Sequence, residues 1–171
     1  ANMEILTWVL GGSVVHQDST GAQGEIRPGD AQKMSAGTGI YHSEANGSAT
    51  EPVHFLQIWI EPEREGLEPE YAQTHFPAAQ RTNRLRLIAD RNGSDGAIVI
   101  HQDVRLYDAL LTPGARVEHA LDPARYAWLH VATGAVTLNG TVLKQGDAAA
   151  LTGESLVVLE ANESAEVLLF D

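Results

Sequence analysis

An imidazole and a carboxylate stand two residues apart in His42-Ser43-Glu44, just behind the glycine-broken turn Gly37-Thr38-Gly39. In a strand, side chains at i and i+2 point to the same face, so His42 and Glu44 can reach one point in space together. That is half of the donor set of a mononuclear metal site. The chain contains no cysteine, so a metal here must rest on His, Asp, Glu or water. The other chemistry-bearing residues are more scattered. His16, beside Gln17-Asp18-Ser19, is expected at a strand end. His54 alternates with Leu56 and Ile58 and reads as a half-buried strand residue or a pocket wall. His101 and Asp103 imitate a ligand pair without an evident partner. Glu4 reads as a strand residue, either facing the site or solvated. His75, His119 and His130 read as surface or packing residues, and Trp8, Trp59 and Trp128 as core.

Short β-type runs dominate the elements that must position these groups: Glu4–Leu10, Ser13–Gln17, His54–Ile60, Leu85–Ala89, Ile98–Leu106, Tyr107–Leu111, Ala127–Ala132, Val136–Leu138, Leu156–Leu159 and Glu166–Phe170. Turn signals separate them at Gly11-Gly12, Asn92-Gly93, Pro113-Gly114 and Asn139-Gly140. No long amphipathic helix is visible. An antiparallel sandwich or barrel is expected. The charged, proline-flanked stretch from Glu61 reads as a linker or exposed loop reaching to about Gln80.

The two sides of that stretch look alike. Val9-Leu10-Gly11-Gly12-Ser13-Val14 matches Val131-Ala132-Thr133-Gly134-Ala135-Val136, and Gly29-Asp30-Ala31 matches Gly146-Asp147-Ala148. Counting on from Gly37 and Gly153, Val158 takes the place of His42 and Glu160 that of Glu44. The second copy should therefore hold no metal at that position.

Composition narrows the partners. Eleven basic residues stand against 23 acidic ones, a net charge of −12, and no basic run appears. Direct contact with nucleic acid is not expected, because phosphate neutralisation needs clustered Lys and Arg. No apolar stretch has membrane-spanning length, and no signal-like segment opens the sequence, so no membrane association and a cytoplasmic location are expected. With 43% hydrophobic residues but three Phe, the core should be aliphatic.

Pro28-Gly29-Asp30, Gly37-x-Gly39 and His42-x3-Asn46 loosely resemble the second motif of the cupin superfamily. Met34-Ser35-Ala36-Gly37-Thr38-Gly39-Ile40-Tyr41-His42-Ser43-Glu44 resembles the narrower motif of the pirin family, some of whose bacterial members are quercetin 2,3-dioxygenases. The resemblance extends over essentially the whole chain, to Glu166–Asp171. It implies an all-β bicupin of two antiparallel barrels or jelly rolls. Residues 1–62 would form an N-terminal barrel, 63–80 a linker, and 81–171 a C-terminal barrel without metal ligands. It also implies His42 and Glu44 as metal ligands, joined in the family by two histidines of a His-Pro-His motif. That motif would precede Ala1, so the N-terminal barrel is expected to be incomplete and the 171 residues to hold metal weakly unless another fragment or a protein partner completes the site. The implied cofactor is one divalent transition metal; three imidazoles and a carboxylate suit Fe, Ni, Cu, Co or Zn without choosing among them. The implied activity is opening of a flavonol by O2 with release of carbon monoxide, with Glu44 as proton acceptor. The family also implies an alternative, a regulatory or redox-sensing protein that acts through a protein partner.

Overall fold

The computed structural model describes residues 3–19, 21, 23–37, 39 and 41–171. Thr38 and Ile40 of the motif, and the opening Ala1-Asn2, lie outside the described residues. The chain forms two compact units, Ala1–Phe76 with Asp90–Asp103, and Pro77–Ala89 with Val104–Asp171. No helix among the described residues is long and apolar enough to cross a membrane.

Among the described residues, the first stretch of the N-terminal unit carries strands β1 (Glu4–Gly11), β2 (Val14–Asp18), β3 (Gln23–Ile26), β4 (Asp30–Ser35), β5 (His42–Asn46), β6 (His54–Ile60) and β7 (Glu70–His75). They form one sheet in the order β6-β1-β4-β7 and another in the order β3-β2-β5, with every pairing antiparallel. Strand β2 shows why the sequence folds this way. Val14, His16 and Asp18 are buried while Val15 and Gln17 face out, the period of two that a half-buried strand requires. Between β3 and β4, the Arg27-Pro28-Gly29-Asp30 turn closes with Asp30 N–H donating to the Arg27 carbonyl at 2.8 Å. Pro28 presets the first central position, and Gly29, at φ 91°, supplies the positive φ that a type II turn demands at the second.

Register decides what faces the interior of this unit. Thr7 lies opposite both Gln57 and Gln32, and Gln32 lies opposite Gln73. Four polar residues thus run in a row across β6-β1-β4-β7, on the face that meets β2 and β5. Val9, Val14 and Ile26 form an apolar cluster backed by Val53 and Phe55. The opposite face of the sheet carries Glu4, Leu6 and Trp8, all buried.

The C-terminal unit comprises the one-turn helix α1 (Ala78–Arg81) and strand β8 (Arg86–Asp90), then, beyond the two-residue β9 (Ile98–Val99) of the N-terminal unit, β10 (Leu106–Leu111), β11 (Arg116–Ala120), β12 (Tyr126–Thr133), β13 (Ala135–Leu138), β14 (Thr141–Lys144), β15 (Ala148–Thr152), β16 (Leu156–Ala161) and β17 (Ala165–Phe170). Its strands run in the orders β15-β12-β17-β10-β8 and β11-β16-β13-β14. Its largest buried cluster is made of Ala, Val and Leu.

The repeat expected from sequence is a repeat of turns. Gly12 and Gly134, at φ 74° and 73°, each join a long strand to the next one. Asp30 accepts from Arg27 N–H, and Asp147 from Lys144 N–H, both at 2.9 Å.

Several expectations need correction. The stretch read as a loop to Gln80 contains β7 and α1. Glu70–His75 has no apolar run, but its backbone pairs with β4 along its whole length. Of the run Ile98–Leu106, residues 100–105 are irregular. Trp8 is core, but Trp59 and Trp128 are 63% and 48% exposed. His54 is exposed rather than half-buried. Glu4 is fully buried rather than solvated, and His16 is buried within β2 rather than at its end.

Candidate metal centre

His42 and Glu44 lie on β5, as the motif spacing required, and their side chains share a face. Strand β5 pairs with β2 so that His42 lies opposite Asp18 and Glu44 opposite His16. Four ionisable side chains therefore occupy one patch of the β2-β5 ladder, facing the polar row of the other sheet.

Glu44 is held from two sides. Thr7 Oγ1 donates to its Oε1 at 3.2 Å, and Gln57 Nε2 to its Oε2 at 2.9 Å. Trp59, two residues along β6, donates its indole N–H to Gln57 Oε1 at 3.0 Å, which fixes which end of the amide faces the carboxylate. Each carboxylate oxygen keeps a lone pair free, since an ionised carboxylate has about four acceptor sites. The His42 ring has no hydrogen bond among the described residues and stacks on the His16 ring at 5.8 Å. Its nitrogens are open for coordination.

His16 is a neighbour rather than a ligand. Its Nε2 donates to Asp18 Oδ2 at 3.1 Å, and its Nδ1 accepts from Gln32 Nε2 at 3.2 Å, so both nitrogens are committed. Its Nδ1 lies 3.8 Å from Glu44 Oε1, and Tyr71 packs on its ring at 5.2 Å. Burial, followed by the charges of Asp18, Asp30 and Glu44, pushes the Tyr71 phenol above its usual range. Tyr71 donates to Gln73 Oε1 at 2.8 Å. Among the described residues the buried Gln32 Oε1 has no hydrogen-bond partner.

The donor chemistry fits half of a transition-metal site, one imidazole and one carboxylate on a rigid strand. Among the described residues no group of three or more His, Asp or Glu could hold an ion. The i, i+2 spacing read from the sequence puts His42 and Glu44 on one face of β5. It missed Thr7, Gln57, His16 and Asp18, although His16-x-Asp18 carries the same i, i+2 signal as His42-x-Glu44.

In the C-terminal unit the ladder gives a different equivalence from the one read by counting. Val14 pairs with Asn46 and Val136 with Ala161, so Glu44 corresponds to Leu159 and His42 to Val157. Glu160 faces the other way and pairs with Arg116 at 3.1 Å. Leu138 takes the place of His16. The second interior is filled where the first is polar.

Two antiparallel β-units built on one repeated turn, one with a histidine–carboxylate face and one with an aliphatic interior, define a bicupin. Residues 1–60 match the family model described as pirin, and residues 87–171 the quercetinase C-terminal cupin domain. A protein of Escherichia coli strain K12 named quercetin 2,3-dioxygenase is 42% identical over 170 residues, covering 99% of this chain and 72% of that protein. The crystal structure of YhhW from Escherichia coli superposes with a TM-score of 0.93 at 42% identity, over 99% of this chain and 71% of that one. The bacterial pirin YhhW from Escherichia coli in complex with nickel(II) gives 0.91 at 40% identity, over 99% and 72%. The chain belongs to the pirin family.

Proposed function

We propose that this protein is a metal-dependent flavonol 2,3-dioxygenase of pirin type, with His42 and Glu44 as two of the ligands to one divalent transition metal. One observation carries the reading: His42 presents an unencumbered imidazole beside a carboxylate that is fixed from two sides, on one face of one strand. The likeness to a quercetin 2,3-dioxygenase and to a nickel-bound pirin supports it. Water or further donors would fill the remaining coordination positions.

His42 and Glu44 would hold the metal, which would supply Lewis acidity to polarise the oxygens of a flavonol. Glu44 then accepts the 3-hydroxyl proton through the lone pairs that Thr7 and Gln57 leave open, which makes the ring electron-rich. Thr7 and Gln57 prevent the carboxylate from rotating away, so little reorganisation remains at the moment of proton transfer. The exposed Trp59 ring offers a flat wall on the same face for a planar substrate. Overall, both atoms of O2 enter the substrate and one ring carbon leaves as carbon monoxide.

The test is quercetin-dependent O2 uptake with simultaneous carbon monoxide detection, using metal-supplemented protein, Glu44→Gln and His42→Ala. The reading predicts one carbon monoxide per O2, a loss of about 10²–10⁴-fold in Glu44→Gln, and loss of turnover in His42→Ala. Equal rates in all three proteins, or O2 uptake without carbon monoxide, would overturn it.

A further inference from the structure

Glu4, which the metal face does not use, organises a separate cluster on the opposite side of the same sheet. Register places Glu4 opposite Ser35 and Ser35 opposite Glu70, and Leu6 opposite Lys33. Glu4, Lys33, Ser35 and Glu70 thus share the face that Thr7 and Gln32 do not. Lys33 is fully buried, with Nζ 2.7 Å from Glu70 Oε2 and 3.6 Å from Glu4 Oε1. Ser35 Oγ donates to Glu4 Oε1 at 2.9 Å.

His101 closes this cluster. Its backbone N–H donates to Glu4 Oε2 at 2.6 Å, and its ring Nδ1 lies 2.8 Å from Glu4 Oε1. Burial raises the Glu4 pKa, but the bonds from the His101 ring, the His101 N–H and Ser35, with the Lys33 charge, outweigh it and hold the carboxyl below its usual range. An ionised carboxylate only accepts, so Nδ1 carries a proton, and in the neutral ring Nε2 presents a lone pair. The backbone bond alone would staple this segment to β1. The ring bond adds something that a staple does not need, an oriented imidazole with Nε2 unengaged among the described residues.

His101 lines a cavity of about 320 Å3 together with Arg64, Leu67, Glu68, Pro69 and Glu70. Arg64 has no hydrogen bond or ion pair among the described residues. A guanidinium without a partner is a fork for a carboxylate, and an imidazole lone pair takes a hydroxyl proton. Leu67 and Pro69 give the carbon frame an apolar wall. Glu68 and Glu70 also line the cavity, Glu70 offset by Lys33 at 2.7 Å, and the remaining acidic charge favours a ligand with one negative charge over one with two. The volume sits at the small end of ligand sites.

We propose that this cavity binds a small hydroxylated monocarboxylate, its carboxylate on Arg64 and its hydroxyl donating to His101 Nε2. The test is an NMR titration of the isotope-labelled protein with two matched pairs, lactate against propionate and 4-hydroxybenzoate against benzoate. The His101 imidazole and amide signals are followed. The proposal predicts saturable shifts at His101 in the millimolar range with at least one hydroxy acid, and binding of that acid several-fold tighter than its deoxy partner. Arg64→Ala, a surface change that leaves the Glu4 network intact, weakens that binding about tenfold, as loss of a charge-assisted pair implies. His101→Gln removes the preference for the hydroxy acid. No saturable shift at tens of millimolar, equal affinity within both pairs, or undiminished binding by Arg64→Ala would each overturn it.

Discussion

At the scale of single residues, the proposed metal face depends on how firmly Glu44 is held. Gln57 is exposed on β6, so its loss should leave the fold unchanged, yet its amide is one of two donors that orient the carboxylate. Gln57→Leu is therefore expected to lower metal affinity by about 10-fold or more, the usual effect of losing a group that orients a ligand, with no shift in melting temperature. Titration calorimetry beside thermal melting checks both halves. Gly37 makes a second case. Its φ is 49°, and a Cβ there would collide with the Leu67 carbonyl oxygen. Gly37→Ala is expected to cost about 1–3 kcal/mol or more from strained backbone and forced displacement, measured as a fall in the urea midpoint. That His42 and Glu44 share a strand face was legible in the sequence because a period of two is a local property. Gln57 and Thr7 were not, because their meeting with Glu44 depends on register between strands far apart in the chain.

At the scale of elements, the two β-ladders explain what could be read and what could not. The Pro28-Gly29-Asp30 turn and its echo at Gly146-Asp147 announced themselves through residue types that only one backbone shape accepts. Strand β7 did not, because Glu70–His75 is polar and owes its conformation to β4. The equivalence of Glu44 with Leu159 also needed the ladder, since loop lengths shift the count by one residue. Glu4 binds an irregular segment to β1, and its titration should show this. A carboxyl whose folded pKa lies below the usual 4.5 contributes stability fully above that value and loses it as pH falls through the lower, folded one. Hydrogen-exchange protection of the His101 amide should accordingly persist down to about pH 5 and collapse at more acidic pH. In Glu4→Gln it should already be reduced at neutral pH. Protection unchanged by acid and by the substitution would contradict the role given to Glu4.

At the scale of the whole molecule, one fold is used in two ways. The C-terminal unit fills its interior with Val, Leu and Ala and leaves no polar face where His42 and Glu44 would fall. Its charge is buried instead at Asp108, Arg81 and Glu166, where Arg81 Nη1 lies 2.5 Å from Asp108 and 3.3 Å from Glu166. Burial first, then the Glu166 charge, pushes Asp108 well above the usual carboxylate range against the pull of Arg81. With a raised folded pKa, the unfolded chain gives up its proton first as pH climbs past the ordinary value. Stability should then decline with rising pH until the folded group ionises. Asp108→Asn is expected to flatten that part of the urea-stability profile, and an unchanged slope would contradict the assignment. The overall class, all-β with two related halves, was legible because turn residues and short β runs mark it throughout. The buried ion cluster was not, because Arg81, Asp108 and Glu166 are distant in sequence and each looks like a surface charge there.

The central claim is that His42 and Glu44 together hold a transition metal. Nickel(II) titration calorimetry of the 171-residue chain, beside His42→Ala and Glu44→Ala, tests it most directly. Two protein ligands should give one weak site per chain, too weak to survive dialysis, and either substitution should abolish it. Identical isotherms for the three proteins would contradict the account.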